Sequence, residues 1–410
     1  MKGLKEIASR NNWDLKLISD VVFFQEGPGV RKHQYTSRGV KLLNVTNILD
    51  GYLDLEATDR YISEEEAYGK YKHFLVDEGD LLIACSGIKI SYFDKKITFV
   101  SSEDLPLCMN TSTMRFKTNN ENKLNIKYFY YFLKSNYFKK QLARQITGSA
   151  QLNFGPSHIK KMFIMIPEIE YQKILAKILD KITKLIEIRR KQIQAYDNLI
   201  ESIFFEMFKK YKTESVNLGD LFELKSGSTP SRKNNEYWNK NDVPWIKSNQ
   251  VNNNFIFNTE EYISQEGYKN SSLEIYPEDT VLIAMYGQGK TRGQVGILKF
   301  ESTTNQAVAA LIPNKISNMT FIFYLLKTKY EELRGLSQGG NQKNLSLKIL
   351  KNFKIFNPPI EIQNKFAEYV IKIEEEKKKL NSSLKELEDL FDALMQDAFS
   401  GNLFKDWEGR

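Results

Sequence analysis

The sequence predicts a mixed α/β (α+β) chain: two similar globular parts and two long helices that pair as an antiparallel coiled coil. Three observations predict it. Pro167-Glu168-Ile169-Glu170-Tyr171-Gln172 opens a long amphipathic run, and Pro358-Pro359-Ile360-Glu361-Ile362-Gln363 opens another, offset by 191 positions (167 to 358). At that offset the apolar seams match: Leu175 with Phe366, Leu179 with Val370, Ile182 with Ile373, Ile193 with Leu384, Tyr196 with Leu387, Ile200 with Phe391, Ile203 with Leu394 and Met207 with Ala398. Their steps alternate four and three, the heptad of a coiled-coil seam, interrupted only by Arg189 and Lys377. Finally, short strand-like islands recur in the same order ahead of each run. Each run is about forty residues, so each helix is about 60 Å long at 1.5 Å per residue, and its natural partner is the other copy.

In chain order, residues 1–12 read as a short helix. A strand follows at Val21-Val22-Phe23-Phe24 and a loop at Glu26-Gly27-Pro28-Gly29-Val30-Arg31-Lys32. Further strands are expected at 40–45, at Asp80-Leu81-Leu82-Ile83-Ala84 and at 111–116, then a single helix over 125–143. The polar loop Gly148-Ser149-Ala150-Gln151-Leu152-Asn153, a strand at 162–166 and the first long helix complete the half.

The second half repeats the plan. Leu218-Gly219-Asp220-Leu221-Phe222-Glu223 answers Leu17-Ile18-Ser19-Asp20-Val21-Val22, and Trp245-Ile246-Lys247-Ser248-Asn249-Gln250-Val251 answers Leu42-Leu43-Asn44-Val45-Thr46-Asn47-Ile48. Val281-Leu282-Ile283-Ala284 answers Leu81-Leu82-Ile83-Ala84, Tyr324-Leu325-Leu326-Lys327 answers Tyr131-Phe132-Leu133-Lys134, and 339–344 answers the loop at Gly148. The offset drifts from 191 to 203, and the helices match best. A shared scaffold carrying two different surfaces is the simplest reading.

The totals narrow the function. The 410 residues carry a net charge of +8, which favours a polyanionic partner. Two cysteines, Cys85 and Cys108, make no disulfide framework and fit a reducing, cytoplasmic setting. His33, His73 and His158 stand singly, without metal-ligand spacing. The start has no apolar stretch of a signal peptide, and no run approaches a membrane span.

Two motifs suggest catalysis and fail. Ala284-Met285-Tyr286-Gly287-Gln288-Gly289-Lys290-Thr291 resembles a P-loop, but Ala284 stands where the motif needs glycine, and Arg292 to Leu298 read as a turn and a strand, not a helix. A basic, glycine-rich loop touching a backbone phosphate through Lys290 and Arg292 is the better expectation. Asn357-Pro358-Pro359-Ile360 resembles the Asn-Pro-Pro-aromatic motif of amino-methyltransferases, but Ile360 has no flat face to stack on a base. Its counterpart, Ile166-Pro167-Glu168-Ile169, marks both prolines as helix starts.

Two loops per half gather basic, amide and hydroxyl residues: Arg31, Lys32, Gln34, Tyr35, Ser37, Arg38 with Asn44, Thr46, Asn47; and Ser226, Ser228, Thr229, Ser231, Arg232, Lys233 with Lys247, Ser248, Asn249, Gln250. Arg and Lys bridge guanine acceptors, Asn and Gln bridge adenine, and surrounding cations hold phosphates. The DNA-contacting candidates are Arg31, Lys32, Tyr35, Arg38, Asn44, Thr46 and Asn47 in the first half. In the second they are Ser228, Thr229, Arg232, Lys233, Lys247, Ser248, Asn249, Gln250, Lys290 and Arg292.

With these residues placed, the chain resembles the specificity subunit of a type I restriction-modification enzyme. The resemblance rests on Leu218-Gly219-Asp220, Gly227-Ser228-Thr229-Pro230, Tyr237-Trp238, Val243-Pro244-Trp245-Ile246, Pro358-Pro359-Ile360-Glu361-Ile362-Gln363 and Asp397-Ala398-Phe399-Ser400-Gly401-Asn402-Leu403, together with the duplication. The first half departs most, with Glu26-Gly27-Pro28-Gly29 where the second has Ser226-Gly227-Ser228-Thr229-Pro230. The resemblance implies two target recognition domains, 1–150 and 213–345, separated by conserved helical regions at 151–212 and 346–410. It implies a non-catalytic subunit that reads a split site in double-stranded DNA. Two methyltransferase subunits, which would carry S-adenosylmethionine, and in some systems restriction subunits would dock on it. No cofactor is expected in this chain. A helix of about 60 Å caps the half-site separation at roughly 18 base pairs, with about 10 favoured for readers on one DNA face. The alternatives are a catalytic DNA adenine methyltransferase and a coiled-coil scaffold that binds no DNA.

Overall fold

The structure, a computed structural model, describes residues 2–146, 152–211, 215–287, 289–336 and 344–403. Most of the polar loop expected at 148–153, most of its counterpart at 339–344, and Gln288 lie outside the described residues. The chain divides into two compact units, Met1–Arg189 with Ser383–Arg410, and Arg190–Ser382. The long helices, Ile169–Phe208 with 40 residues and Ile360–Ser400 with 41, each contribute one half to each unit.

The first unit is built on a four-stranded antiparallel sheet in the order Val22–Glu26, Thr113–Thr118, Leu81–Ala84, Ile97–Phe99. Leu81 to Ala84 is an unbroken apolar run, and all four residues are buried, as expected of a central strand covered on both faces. A three-stranded sheet orders Tyr61–Ile62, Val40–Leu42 and Leu107–Cys108. The stretch 125–143, expected as one helix, is two: Ile126–Lys134 and Asn136–Gln145. Ser135 breaks it because its hydroxyl accepts from the Phe138 amide, capping the second helix.

The second unit repeats this plan. Leu224–Ser226, Val308–Leu311, Val281–Ala284 and Val295–Leu298 take the places of the four strands above, and Asn254–Ile256 adds a fifth, parallel to Val295–Leu298. Tyr262–Ile263, Val243–Ile246 and Thr303–Thr304 form the small sheet. The stretch resembling a P-loop joins Val281–Ala284 to its antiparallel neighbour, Val295–Leu298; the expected turn and strand are present.

Each globular part is closed by a two-stranded stem: Asp14–Leu17 against Phe163–Ile166, and Val216–Asn217 against Lys354–Ile355. The boundaries at 150 and 345 read from sequence therefore cut between strands that pair. The return strand Phe163–Ile166 is the one expected at 162–166, whereas Lys354–Ile355 is too short to carry a period of its own.

In both units the helix halves run antiparallel. Tyr171 donates to the Ala398 carbonyl at 3.0 Å in the first. In the second, Lys377 meets Asp197 at 2.6 Å while Phe204 and Phe208 pack on Phe366, with centroids 5.3 and 5.5 Å apart. None of the paired seam positions is exposed, from Leu175, Leu179, Phe366 and Val370 at the buried end to half-buried Ile193 and Leu384. Gln172 and Gln363 are both fully buried. Each turns its side-chain carbonyl to a helix-capping asparagine, accepting from the Asn125 and Asn318 amides at 2.8 Å. Each donates back to the proline carbonyl that opens its own helix, Pro167 at 2.8 Å and Pro358 at 2.7 Å. The Pro-x-x-x-x-Gln signature is thus a clasp between long helix and globular part.

Candidate nucleic-acid interface

In the second unit one short segment gathers three loops. The Thr304 carbonyl accepts from the Ser228 amide at 3.1 Å, Asn305 donates to the Ile246 carbonyl at 2.9 Å, and the Met285 amide donates to Ala307 at 2.8 Å. Residues 227–233 and 247–250, with 286–287 and 289–292, consequently emerge together. Gly227 is required: a Cβ there would lie 1.7 Å from the Thr304 carbonyl oxygen. In the first unit the segment 108–113 does the same work. Cys108 accepts from the Leu43 amide at 2.8 Å, Ser112 from Cys85 at 2.9 Å and Thr113 from Gly27 at 3.0 Å. A Cβ on Gly27 would lie 2.3 Å from the Asn110 carbonyl. The dissimilar stretches Glu26-Gly27-Pro28-Gly29 and Ser226-Gly227-Ser228-Thr229 thus share one glycine for one reason, close backbone approach.

The candidates divide by burial. Asn47 is fully buried; its side-chain carbonyl accepts from the Asn44 amide at 2.8 Å and from the Thr58 hydroxyl at 3.2 Å, and its amide donates to Asp54 at 2.8 Å. Gln250 copies it, accepting from the Lys247 amide at 3.2 Å and from Thr259 at 3.4 Å. Asn44 is also buried, between the Leu42 carbonyl, Arg60 and Asn110. Asn44 and Asn47, expected as DNA contacts, spend these polar atoms inside the protein, bracing the turn. Gln250 braces its turn in the same way through its side-chain carbonyl. The residues between, Thr46 and Asn249, are exposed. Arg31, Lys32, Arg38, Lys233 and Lys290 are exposed on their loops, whereas Tyr35, Ser228, Thr229, Lys247, Ser248 and Arg292 are half-buried. Thr229 is tied to Gln306 through its hydroxyl, and the Lys290 carbonyl accepts from Tyr330 at 2.7 Å.

Arg232 is held on three sides. Its guanidinium stacks 3.4 Å from the Trp238 ring centroid and 4.9 Å from that of Trp245, and it pairs with Glu261. Lys247 meets the other Glu261 oxygen at 3.1 Å. The two indole N–H groups donate to the loop itself, Trp238 to Ser231 at 3.2 Å and Trp245 to Ser228 at 2.9 Å. The Arg232 hydrogen bond, then Lys247, hold the Glu261 carboxyl below the usual carboxylate range, against the opposing effect of burial. In the first unit the corresponding position is Arg60: its carbonyl accepts from Leu42 at 2.9 Å as that of Glu261 accepts from Trp245 at 3.0 Å. Arg60 lies over the Tyr35 ring at 5.5 Å and donates to Asn44 at 3.0 Å. Both units build a guanidinium–aromatic contact at one place in the fold, with the cation at Arg232 of the loop in one and at Arg60, just before the strand Tyr61–Ile62, in the other.

Among the described residues no group of three His, Cys, Asp or Glu side chains could hold a metal ion, and burial pushes the Cys85 and Cys108 thiols up to about 12. No described helix is long and apolar enough to cross a membrane.

The model of the type I restriction modification DNA specificity domain matches twice, over residues 10–195 and 211–394. The chain belongs to the type I restriction-modification specificity family. Over 304 residues it is 26% identical to the EcoR124I/EcoR124II specificity subunit of Escherichia coli, covering 69% of this chain and 72% of that one. It is 35% identical over 176 residues to the MjaIX specificity subunit of Methanocaldococcus jannaschii, a stretch covering 41% of this chain and 40% of the relative. The S subunit of the type I system of M. genitalium shares the fold, with a TM-score of 0.58 at 16% identity over 95% of this chain and 96% of that one. The family model's two matches fall on the duplicated halves read from sequence. Arg60, Trp245 and Glu261 were missed as candidates because they sit on or beside strands, and Trp238 because it is an aromatic in the turn after the short helix Asn235–Tyr237. Extending the repeat alignment past Ile48 and Val251 with a two-residue gap, so that Tyr61-Ile62 answers Tyr262-Ile263, sets Arg60 against Glu261 and would have exposed that pair.

Proposed function

We propose that this chain is the non-catalytic DNA-reading subunit of a type I restriction-modification complex, and that each unit reads one half of a split double-stranded site. The observation that carries this reading is the repeated convergence of three loops on one backbone segment, with a common scaffold beneath and different side chains above. A duplicated scaffold with diverged tips is what two readers of different short sequences require. Exposed Thr46, Asn249, Arg31, Lys32, Arg38, Lys233 and Lys290 would supply contacts, with base edges read by the amides and hydroxyls and phosphates held by the cations.

In this reading two modification subunits, carrying S-adenosylmethionine, dock on the chain, and restriction subunits join where the system has them. A solved assembly titled for complex assembly and conformational transition of the type I system shares the fold, at a TM-score of 0.55. The test is to co-express the chain with a modification subunit and sequence the methylated adenines. A split motif is expected; a continuous one overturns the reading. Binding of S-adenosylmethionine by the chain alone would favour a methyltransferase instead. Absence of salt-dependent DNA binding would favour a scaffold.

A further inference from the structure

The two reading surfaces differ in one charge at equivalent positions. Arg60 of the first unit leans on a neutral partner, the Asn44 amide carbonyl. Glu261 of the second unit bridges two cations from two different loops, Arg232 and Lys247. Its backbone is fixed independently of that bridge: the carbonyl accepts from Trp245, and the amide donates to the Thr259 hydroxyl at 3.3 Å. A carboxylate anchored just before the strand Tyr262–Ile263 thus ties loop 228–233 to turn 247–250. It also places a negative charge where a DNA-binding surface would be expected to carry none.

We propose that Glu261 is a specificity-determining residue of the second unit, which orients Arg232 and Lys247 as a fixed pair and offsets their charge so that they read base edges instead of gripping any phosphate. This rests on the DNA-reading function proposed above. The physical ground is a competition. A free guanidinium and a free ammonium near a duplex gain sequence-independent affinity by releasing counterions. Cations already paired to a carboxylate gain less from phosphate. They are exchanged profitably only where a correctly placed guanine offers both acceptors to the planar guanidinium. The Trp238 and Trp245 faces keep that plane in one orientation, so a wrong base leaves the arginine unable to swing to a neighbouring phosphate. The first unit lacks this device, and Arg60 there is the freer cation.

The experiment uses the full chain and duplexes chosen by it from a random-sequence pool, beside a scrambled duplex of equal length and composition. Glu261→Gln keeps the shape and removes the charge. The variant should bind the scrambled duplex more tightly than the native chain does, with a log–log salt slope steeper by about 0.9 for each freed cation. Its preference for the selected duplex should fall about tenfold or more, and the lost preference should map to one half-site. A simple structural brace would instead lower both affinities together and leave the slope alone; that result, or an unchanged preference, overturns the proposal. If Glu261→Gln fails to fold, Glu261→Asp decides. It keeps the charge but is too short to span both cations, so preference should fall and the slope should steepen by about 0.9 for the one cation released, and retained preference overturns the proposal. A native chain that selects no sequence at all removes the DNA-reading function itself, and the role of Glu261 with it.

Discussion

Lys377 places its ammonium 2.6 Å from the Asp197 carboxylate, joining the two long helices where the heptad seam is interrupted by a charge. A second carboxylate, Glu374, lies 2.8 Å away. Burial opposes the ammonium, but hydrogen bonds to Asp197 and Glu374 outweigh it and raise the lysine above its ordinary value. The sign follows: a raised lysine stabilises the fold fully at neutral pH and loses that contribution only as pH climbs through its raised value. Lys377→Ala should cost about 1 kcal/mol, since Asp197 is partly exposed and screened. A thermal double-mutant cycle with Asp197→Ala should show the two losses to be less than additive. Additive losses would mean that the pair contributes nothing.

Gln172 and Gln363 should be equally intolerant of an apolar isostere. Gln172→Leu strips the Asn125 amide and the Lys123 and Pro167 carbonyls of their partner, and Gln363→Leu strips the Asn318 amide and the Pro358 carbonyl. Buried groups left without partners cost about 1–3 kcal/mol each. Hydrogen exchange should show faster opening at Asn125 in the first variant and at Asn318 in the second, each confined to its own unit. Loss of protection in both units from one substitution would contradict two separate clasps.

Asn47 and Asn249 looked alike as polar loop residues, yet the structure separates them. Asn47→Ala should lower stability by about 1–3 kcal/mol through the turn it braces, and affect DNA only as folding fails. Asn249→Ala should leave the melting temperature unchanged and weaken discrimination at one base by about 1–3 kcal/mol if its contact is bidentate. Melting curves and binding to single-base variants of the selected duplex read the two effects. The opposite assignment of effects would restore Asn47 as a reader.

What the sequence makes legible is what its periods encode. The seam from Leu175 to Met207 has a strict heptad, so the pairing of the helices could be read directly, and the repeat offset then doubled the information on every strand island. The boundary drawn at 345 parts Lys354–Ile355 from Val216–Asn217, because a two-residue strand has no pattern of its own and is held by that pairing. Within the site, residue type marked Arg232 and Lys247 as candidates but said nothing of their shared carboxylate. Glu261 lies fourteen residues beyond Lys247 (247 to 261), beside a strand whose pairing only the fold supplies.

Lys290 tests the phosphate-gripping part of the interface apart from base reading. It is exposed on the glycine-rich loop, whose Gly287 and Gly289 have φ of 149° and 63°. Tyr330 fixes the loop backbone by donating to the Lys290 carbonyl, so removing the ammonium should leave the loop in place. Lys290→Ala should weaken selected and scrambled duplexes alike and flatten the salt slope by about 0.9. A loss confined to one sequence would make Lys290 a base reader.

Exchange of one globular part for that of a relative tests the two-reader function as a whole, and the stem decides where to cut. Val216–Asn217 pairs with Lys354–Ile355, the Leu218 amide donates to the Phe353 carbonyl at 2.8 Å, and Gly219 packs so tightly on Lys351 that a Cβ would lie 2.8 Å from its side chain. A swap of residues 213–345 would mate one strand of a foreign stem with a native partner and should lower the melting temperature. A swap of 216–356 carries both strands together. Provided the donor keeps a free backbone N–H at the position of Asn318 for the Gln363 clasp, it should fold as well as the native chain. Co-expressed with the modification subunit, that chimera should methylate a site in which one half is new while the other half and the spacer are unchanged, because the other loops and both long helices are native. A motif altered in both halves would show that the two units do not read independently.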